Sequence, residues 1–188
     1  MMDPLDWGWN RNLLTAGVRS VLVIRVVAKD AATAATEAQL SSQIFGGTGF
    51  NLKSGFARCS YNQLLFEPQA NTIAGPDGIH TTFLPNVTVN GVSDATVRNA
   101  VLAQATAELG AHPRLLADHV MLCLPPGTAG GWIAYAYANS WMSAYNDKWC
   151  SYVSAQIHEL GKFPGLSYLD TKGCTRENCI FITDITRE

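Results

Sequence analysis

The chain has 188 residues, about one domain at roughly 150 residues each. Its 47% hydrophobic content is enough for a core and excludes disorder as the main state. Thirteen Lys and Arg against 15 Asp and Glu give a formal charge of −2, so no basic surplus exists to grip a phosphate backbone and nucleic acid is not an expected partner.

No apolar run approaches the ~20 residues of a transmembrane helix. The opening MMDPLDWGWN lacks a positive segment followed by an apolar one, so it does not read as a signal peptide. Residues 20–28, SVLVIRVVA, are β-branched and almost continuously apolar, the pattern of a buried strand. Asp30 is placed to cap an Ala-rich helix that stops at Gly46-Gly47. Residues 51–61 suit a second short helix, with Leu52, Phe56 and Cys59 at helical spacing. Residues 63–67 read as a strand ended by Pro68.

The stretch 71–91 mixes turn residues, Gly75-Pro76-Asp77-Gly78, with strand-like pieces such as 87–89. Ser93 then caps a helix with Val97, Val101, Ala105 and Leu109 at intervals of four, stopped by Gly110. Residues 119–124, HVMLCL, form another buried strand before Pro125-Pro126-Gly127. A Gly-rich turn at 127–131 leads to the aromatic stretch 132–137. Residues 139–161 read as one long helix with an aromatic stripe of Trp141, Tyr145, Trp149 and Tyr152, best explained as core packing. Its other face carries Ser151, Ser154, Ala155 and His158, small residues that leave room beside the imidazole. The mixed order of strands and helices predicts an α/β or α+β fold.

Five cysteines, an odd number, leave at least one thiol unpaired within the chain, and Cys174 and Cys179 do not form a C-x-x-C motif. One glycosylation sequon is present, Asn86-Val87-Thr88.

The predicted last helix carries the chemistry. His158-Glu159 opens the sequence HELGKFPGLSY, comparable with the zinc pattern H-E-x-x-H-x-x-G-x-x-H. In that pattern two histidines four apart share a helix face and a metal ion, and the Glu acts as general base. Here His158, Glu159 and Gly165 match, whereas Lys162 and Tyr168 occupy the other two ligand positions. His80, His112 and His119 read as surface or hydrogen-bonded side chains rather than replacement ligands.

Taken with VLVIRVVAKD at 21–30, FARCSYNQLLFEP at 56–68, DHVMLCLPPGT at 118–128 and AYANSWMSAYNDKWCSYVSAQIHELG at 136–161, this motif resembles the gametolysin-type metzincins. The resemblance spans about residues 20–168. It implies a twisted mixed sheet with a connecting helix and a central active-site helix. It also implies zinc as cofactor, His158 as a zinc ligand, Glu159 as the catalytic base, and protein or glycoprotein substrates of a cell wall or extracellular matrix. Residues 1–19 are then an N-terminal tail and 169–188 a divergent C-terminal tail, with the family's lower subdomain missing.

The departures bear on activity. A protonated Lys162 repels Zn²⁺, and a catalytic site needs three protein ligands plus water. Its bland role is an ion pair with Glu159 or Asp170. Pro164 should end the helix near Lys162. No methionine follows His158 to form the family's Met-containing turn. The expectation is a peptidase-family chain of lost or impaired activity; the alternative is a non-catalytic peptide- or matrix-binding module on the same fold.

Overall fold

The computed structural model describes residues 16–69 and 75–162. The fold is mixed α/β, with six mostly parallel strands and four helices. The strands are β1 (Gly17–Ala28), β2 (Leu64–Pro68), β3 (Ile79–Leu84), β4 (His119–Leu124), β5 (Ala134–Ala136) and β6 (Met142–Asn146). The helices are α1 (Glu37–Phe45), α2 (Leu52–Cys59), α3 (Asp94–Leu109) and α4 (Val153–Leu160).

The sheet order is β2-β1-β4-β6-β5, and β3 also pairs with β1. Twelve residues make β1 long enough to hold two strands end to end along one edge. Gly17 to Val21 pair with β2, and Val23 to Ala28 pair with β3. β4 takes the other edge, at Val21 to Arg25. With strands on both edges and helices on both faces, Val21, Leu22, Val23 and Ile24 are fully buried, which is why this strand reads as an unbroken apolar run. Only β5 is antiparallel, and among the described strands it pairs only with β6.

Alternating residues send side chains into two cores. Val21, Val23, Met121, Cys123 and Tyr145 meet Leu40 and Ile44 of α1, Leu52 and Phe56 of α2, and Ile157 and Leu160 of α4. Leu22, Ile24, Val120, Leu122 and Ala144 meet Val97, Val101, Ala105 and Leu109 of α3. The four-residue spacing of α3 is the stripe visible in the sequence. Its ends are as expected too: Ser93 accepts from the Thr96 N–H, and Gly110 takes the left-handed conformation that a side chain resists. Asn51 caps α2 reciprocally with Ser54.

Three readings are corrected. Asp30 does not cap α1. Its carboxylate accepts from the N–H groups of Val89 and Asn90 at 2.9 and 3.1 Å, and the Val89 bond is the main cause of its lowered pKa. The chain after β1 instead folds back, with Thr33 N–H on Val26 O, and α1 begins at a capping box of Thr36 and Gln39. Residues 87–89 are not a strand, because the Leu84–Val87 turn and Asp30 take their backbone groups.

The third correction concerns 139–161. This segment is β6, a 3₁₀ turn over Asp147–Ser151 and the short α4, not one helix. Met142–Asn146 slots beside β4 as a parallel strand, where backbone pairing and the burial of Met142 to Tyr145 outweigh the helical spacing of the aromatics. Asp147 has φ +48°, which a continuous right-handed helix does not permit. A Cys123–Cys150 disulfide then ties the turn to β4. The aromatic stripe accordingly comes apart. Tyr145 is buried on the α4 side, and Trp141 packs toward the α3 side. Trp149 and Tyr152 lean on each other with ring centres 4.9 Å apart.

Candidate functional site

α4 carries the motif. Ala155, Gln156, Ile157, Glu159 and Leu160 are buried, and the Gln156 amide donates to Cys150 O at 2.6 Å. This bond and the disulfide fix the approach of α4 to the sheet. The helix ends at Leu160, and Gly161 and Lys162 turn with their N–H groups on Ile157 O and Glu159 O. Lys162 O in turn accepts from Asn139 N–H at 2.8 Å, which places the end of α4 beside the chain entering β6. The early stop agrees with the effect expected of Pro164, although Pro164, Gly165, Tyr168 and Asp170 lie outside the described residues.

His158 and Glu159 diverge in environment. The His158 side chain is 36% exposed and the Glu159 side chain only 6%. Their nearest polar atoms, Nε2 and Oε1, are 4.0 Å apart. Glu159 Oε2 instead accepts from the Lys162 ammonium at 2.7 Å. A buried carboxylate needs such a partner, because removal from water costs several kcal/mol per ion, on the order of what pairing restores.

Beneath α4 lies a set of polar side chains on β4 and β6. His119 Nε2 meets Ser143 Oγ at 2.8 Å, and both residues are fully buried. Burial pulls the His119 pKa down to about 3. Tyr145, two residues beyond Ser143 on the same face, has its phenol pushed up by burial, with the Glu159 carboxylate adding to the effect. Gln156 Oε1 is buried without a hydrogen-bond partner among the described residues. The sequence reading missed this set. Its sequence signal is the alternation of Ser143 and Tyr145, which the helical spacing of the aromatics across 139–161 masks.

The remaining histidines are hydrogen-bonded. His80 Nε2 lies 2.8 Å from Glu108, and His112 Nδ1 accepts from the Arg114 N–H. A cavity of about 760 Å³ opens beside β3, lined by Arg25, Glu37, Asp77, His80 and Thr81 among others, and none of His158, Glu159 or Lys162 borders it. Three of its polar side chains are already engaged: Thr81 donates to Glu37, and Arg25 donates to Thr33 O and Ala35 O.

The donor set can be tested against zinc. Among the described residues no group of three His, Cys, Asp or Glu side chains could hold a metal ion. His158 offers one imidazole, Glu159 is engaged by an ammonium, and that ammonium repels a divalent cation. The described residues therefore do not fit a catalytic zinc. No helix among them is long and apolar enough to cross a membrane. Compared with known proteins, the chain matches no family model, no curated sequence and no solved structure.

Proposed function

We propose that this chain is a gametolysin-type metzincin domain whose hydrolytic centre has been lost, derived from a peptidase of cell-wall or extracellular-matrix proteins. The observation that carries the loss is the 2.7 Å contact between Lys162 and Glu159. The residue at the second ligand position neutralises the residue in the general-base position, so these two positions supply neither a second imidazole nor a free base. Membership is supported by the four separated sequence stretches, and by a mixed sheet in which a connecting helix, α3, and the motif-bearing helix, α4, cover opposite faces. An extracellular or cell-wall setting is supported by the Cys123–Cys150 disulfide and the disulfide-bonded state of Cys59.

A non-catalytic binding module on the same fold has one observation in its favour. Edge strand β5 pairs with β6 alone among the described strands, so its outer backbone edge can take an extended peptide from a protein or glycoprotein ligand.

The experiment is zinc content and peptidase activity of the refolded, desalted chain beside a Lys162→His/Tyr168→His variant. The expected result is no stoichiometric zinc in the unaltered chain and zinc in the variant. About one zinc per unaltered chain, with hydrolysis, would overturn the loss of the centre. No zinc in either would count against a preserved metzincin scaffold. Peptide affinity without turnover in the unaltered chain would favour the binding module.

A further inference from the structure

The sequon Asn86-Val87-Thr88 is the only Asn-x-Ser/Thr, x not Pro, in the chain. In the structure it occupies a tight turn after β3. Val87 N–H donates to Leu84 O at 3.1 Å, which puts Pro85 and Asn86 at the two central positions. Pro85, Asn86 and Thr88 are exposed. The Asn86 carboxamide makes no hydrogen bond to another described residue, so substitution at its nitrogen breaks nothing in the fold.

The turn is held from behind. Val87 O accepts from Lys29 N–H at 3.0 Å, Val89 is fully buried, and Asp30 holds the N–H groups of Val89 and Asn90. The backbone is thus anchored on both sides of an outward-facing asparagine. A folded core can carry a bulky, hydrated substituent there without repacking.

The cysteines supply an independent observation. Cys123 and Cys150 are fully buried and joined, and Cys59 is disulfide-bonded as well. Such bonds form in oxidising secretory compartments, where asparagine-linked oligosaccharide is also transferred.

We infer that Asn86 is a site of N-linked glycosylation. Asn86 Nδ2 forms a bond to the anomeric carbon of a lipid-linked oligosaccharide. The bond from that carbon to the lipid pyrophosphate breaks, the pyrophosphate leaves with its electron pair, and the amide gives up one proton. The site lies at the opposite end of the sheet from the candidate centre. Asn86 follows the C-terminal end of β3, whereas Lys162 O contacts Asn139 ahead of the start of β6, and β3 and β6 run the same way. A glycan there leaves Glu159 uncovered, and the inference stands whether or not the chain has peptidase ancestry.

The test is cell-free translation of the full chain behind a cleavable secretory leader, with endoplasmic-reticulum microsomes. Only the translocated, protease-protected fraction is read. The expected result is a slower-migrating form that peptide N-glycosidase collapses, leaving Asn86→Asp detectable by mass spectrometry. Thr88→Ala should abolish the shift and Thr88→Ser should keep it. A protected fraction with unmodified Asn86, or a shift that survives Thr88→Ala, would overturn the assignment.

Discussion

Two consecutive residues of β4 point into different chemistries. Leu122 enters the core beneath α3, where its buried neighbours are Val, Leu, Ile, Ala and Met side chains. Cys123 enters the side covered by α4, whose buried groups include a disulfide, Tyr145, Gln156 and Glu159, with His119 and Ser143 on the same strand faces. Both sides exclude water, but they do so at different cost. Apolar burial stabilises by roughly 25 cal/mol per Å² and is indifferent to protonation. A buried carboxylate, imidazole or amide stabilises nothing until a partner meets it. Apolar packing supplies cohesion on both sides, and the α4 side adds fully buried polar groups that tie stability to charge and pH, whereas on the α3 side the His80–Glu108 pair lies nearer the surface.

The largest expected effect sharpens the cohesive half of this contrast. Leu122→Ala removes a fully buried side chain from a close-packed layer and should cost about 3 kcal/mol. Urea titrations from neutral to acid pH should give nearly the same loss throughout, since no buried member of that cluster titrates and Tyr135, which packs against it, has its pKa pushed up to about 12. A loss that grows toward acid would show that the two sides are coupled through β4.

The same division governs what the sequence disclosed. The α3 side was legible: the four-residue spacing of Val97, Val101, Ala105 and Leu109, the Ser93 cap and the Gly110 stop are local signals, and the structure agrees with each. β1 and β4 were legible because burial on both faces leaves an unbroken apolar run, although β1 starts at Gly17, three residues before the expected point. The α4 side was misread because its determinants are not local. Tyr145 and Trp149 are four apart on any chain. Only pairing with β4, the left-handed Asp147 and the Cys123–Cys150 bond turn that spacing into strand and turn. Of the candidate site, His158, Glu159 and the Lys162 ion pair were readable within the motif. The buried His119–Ser143 pair was not, because it joins residues 24 positions apart in sequence across neighbouring strands.

His119 offers the next test. Folded, it stays neutral down to about pH 3; unfolded, it protonates near its ordinary value of 6.5. Between these values the unfolded chain holds more protons, so stability rises with pH. The contribution is complete above pH 6.5 and is lost as pH falls toward 3. With 1.36 kcal/mol per pKa unit, it amounts to about 2 kcal/mol of loss by pH 5. His119→Gln should flatten this acid slope relative to the unaltered chain in denaturant titrations from pH 7 to pH 5. Parallel slopes for the two proteins would mean that His119 charges in the folded state.

The smallest expected effect bears most directly on the proposed loss of function. Lys162 is 33% exposed and Glu159 only 6%, so solvent screens the cation while the carboxylate depends on it. Lys162→Met should destabilise by about 1–2 kcal/mol, less than for a fully buried pair. Glu159→Gln should cost little, since a neutral amide keeps the shape without the buried charge, and the double variant should lose almost nothing beyond Glu159→Gln alone. That non-additivity would identify the ion pair as the reason the lysine matters. Additive losses would instead make Lys162 a packing residue, valuable for its methylene stem. The Glu159 carboxylate would then owe nothing to the lysine, and the proposal that this ammonium silences the general-base position would lose its energetic support.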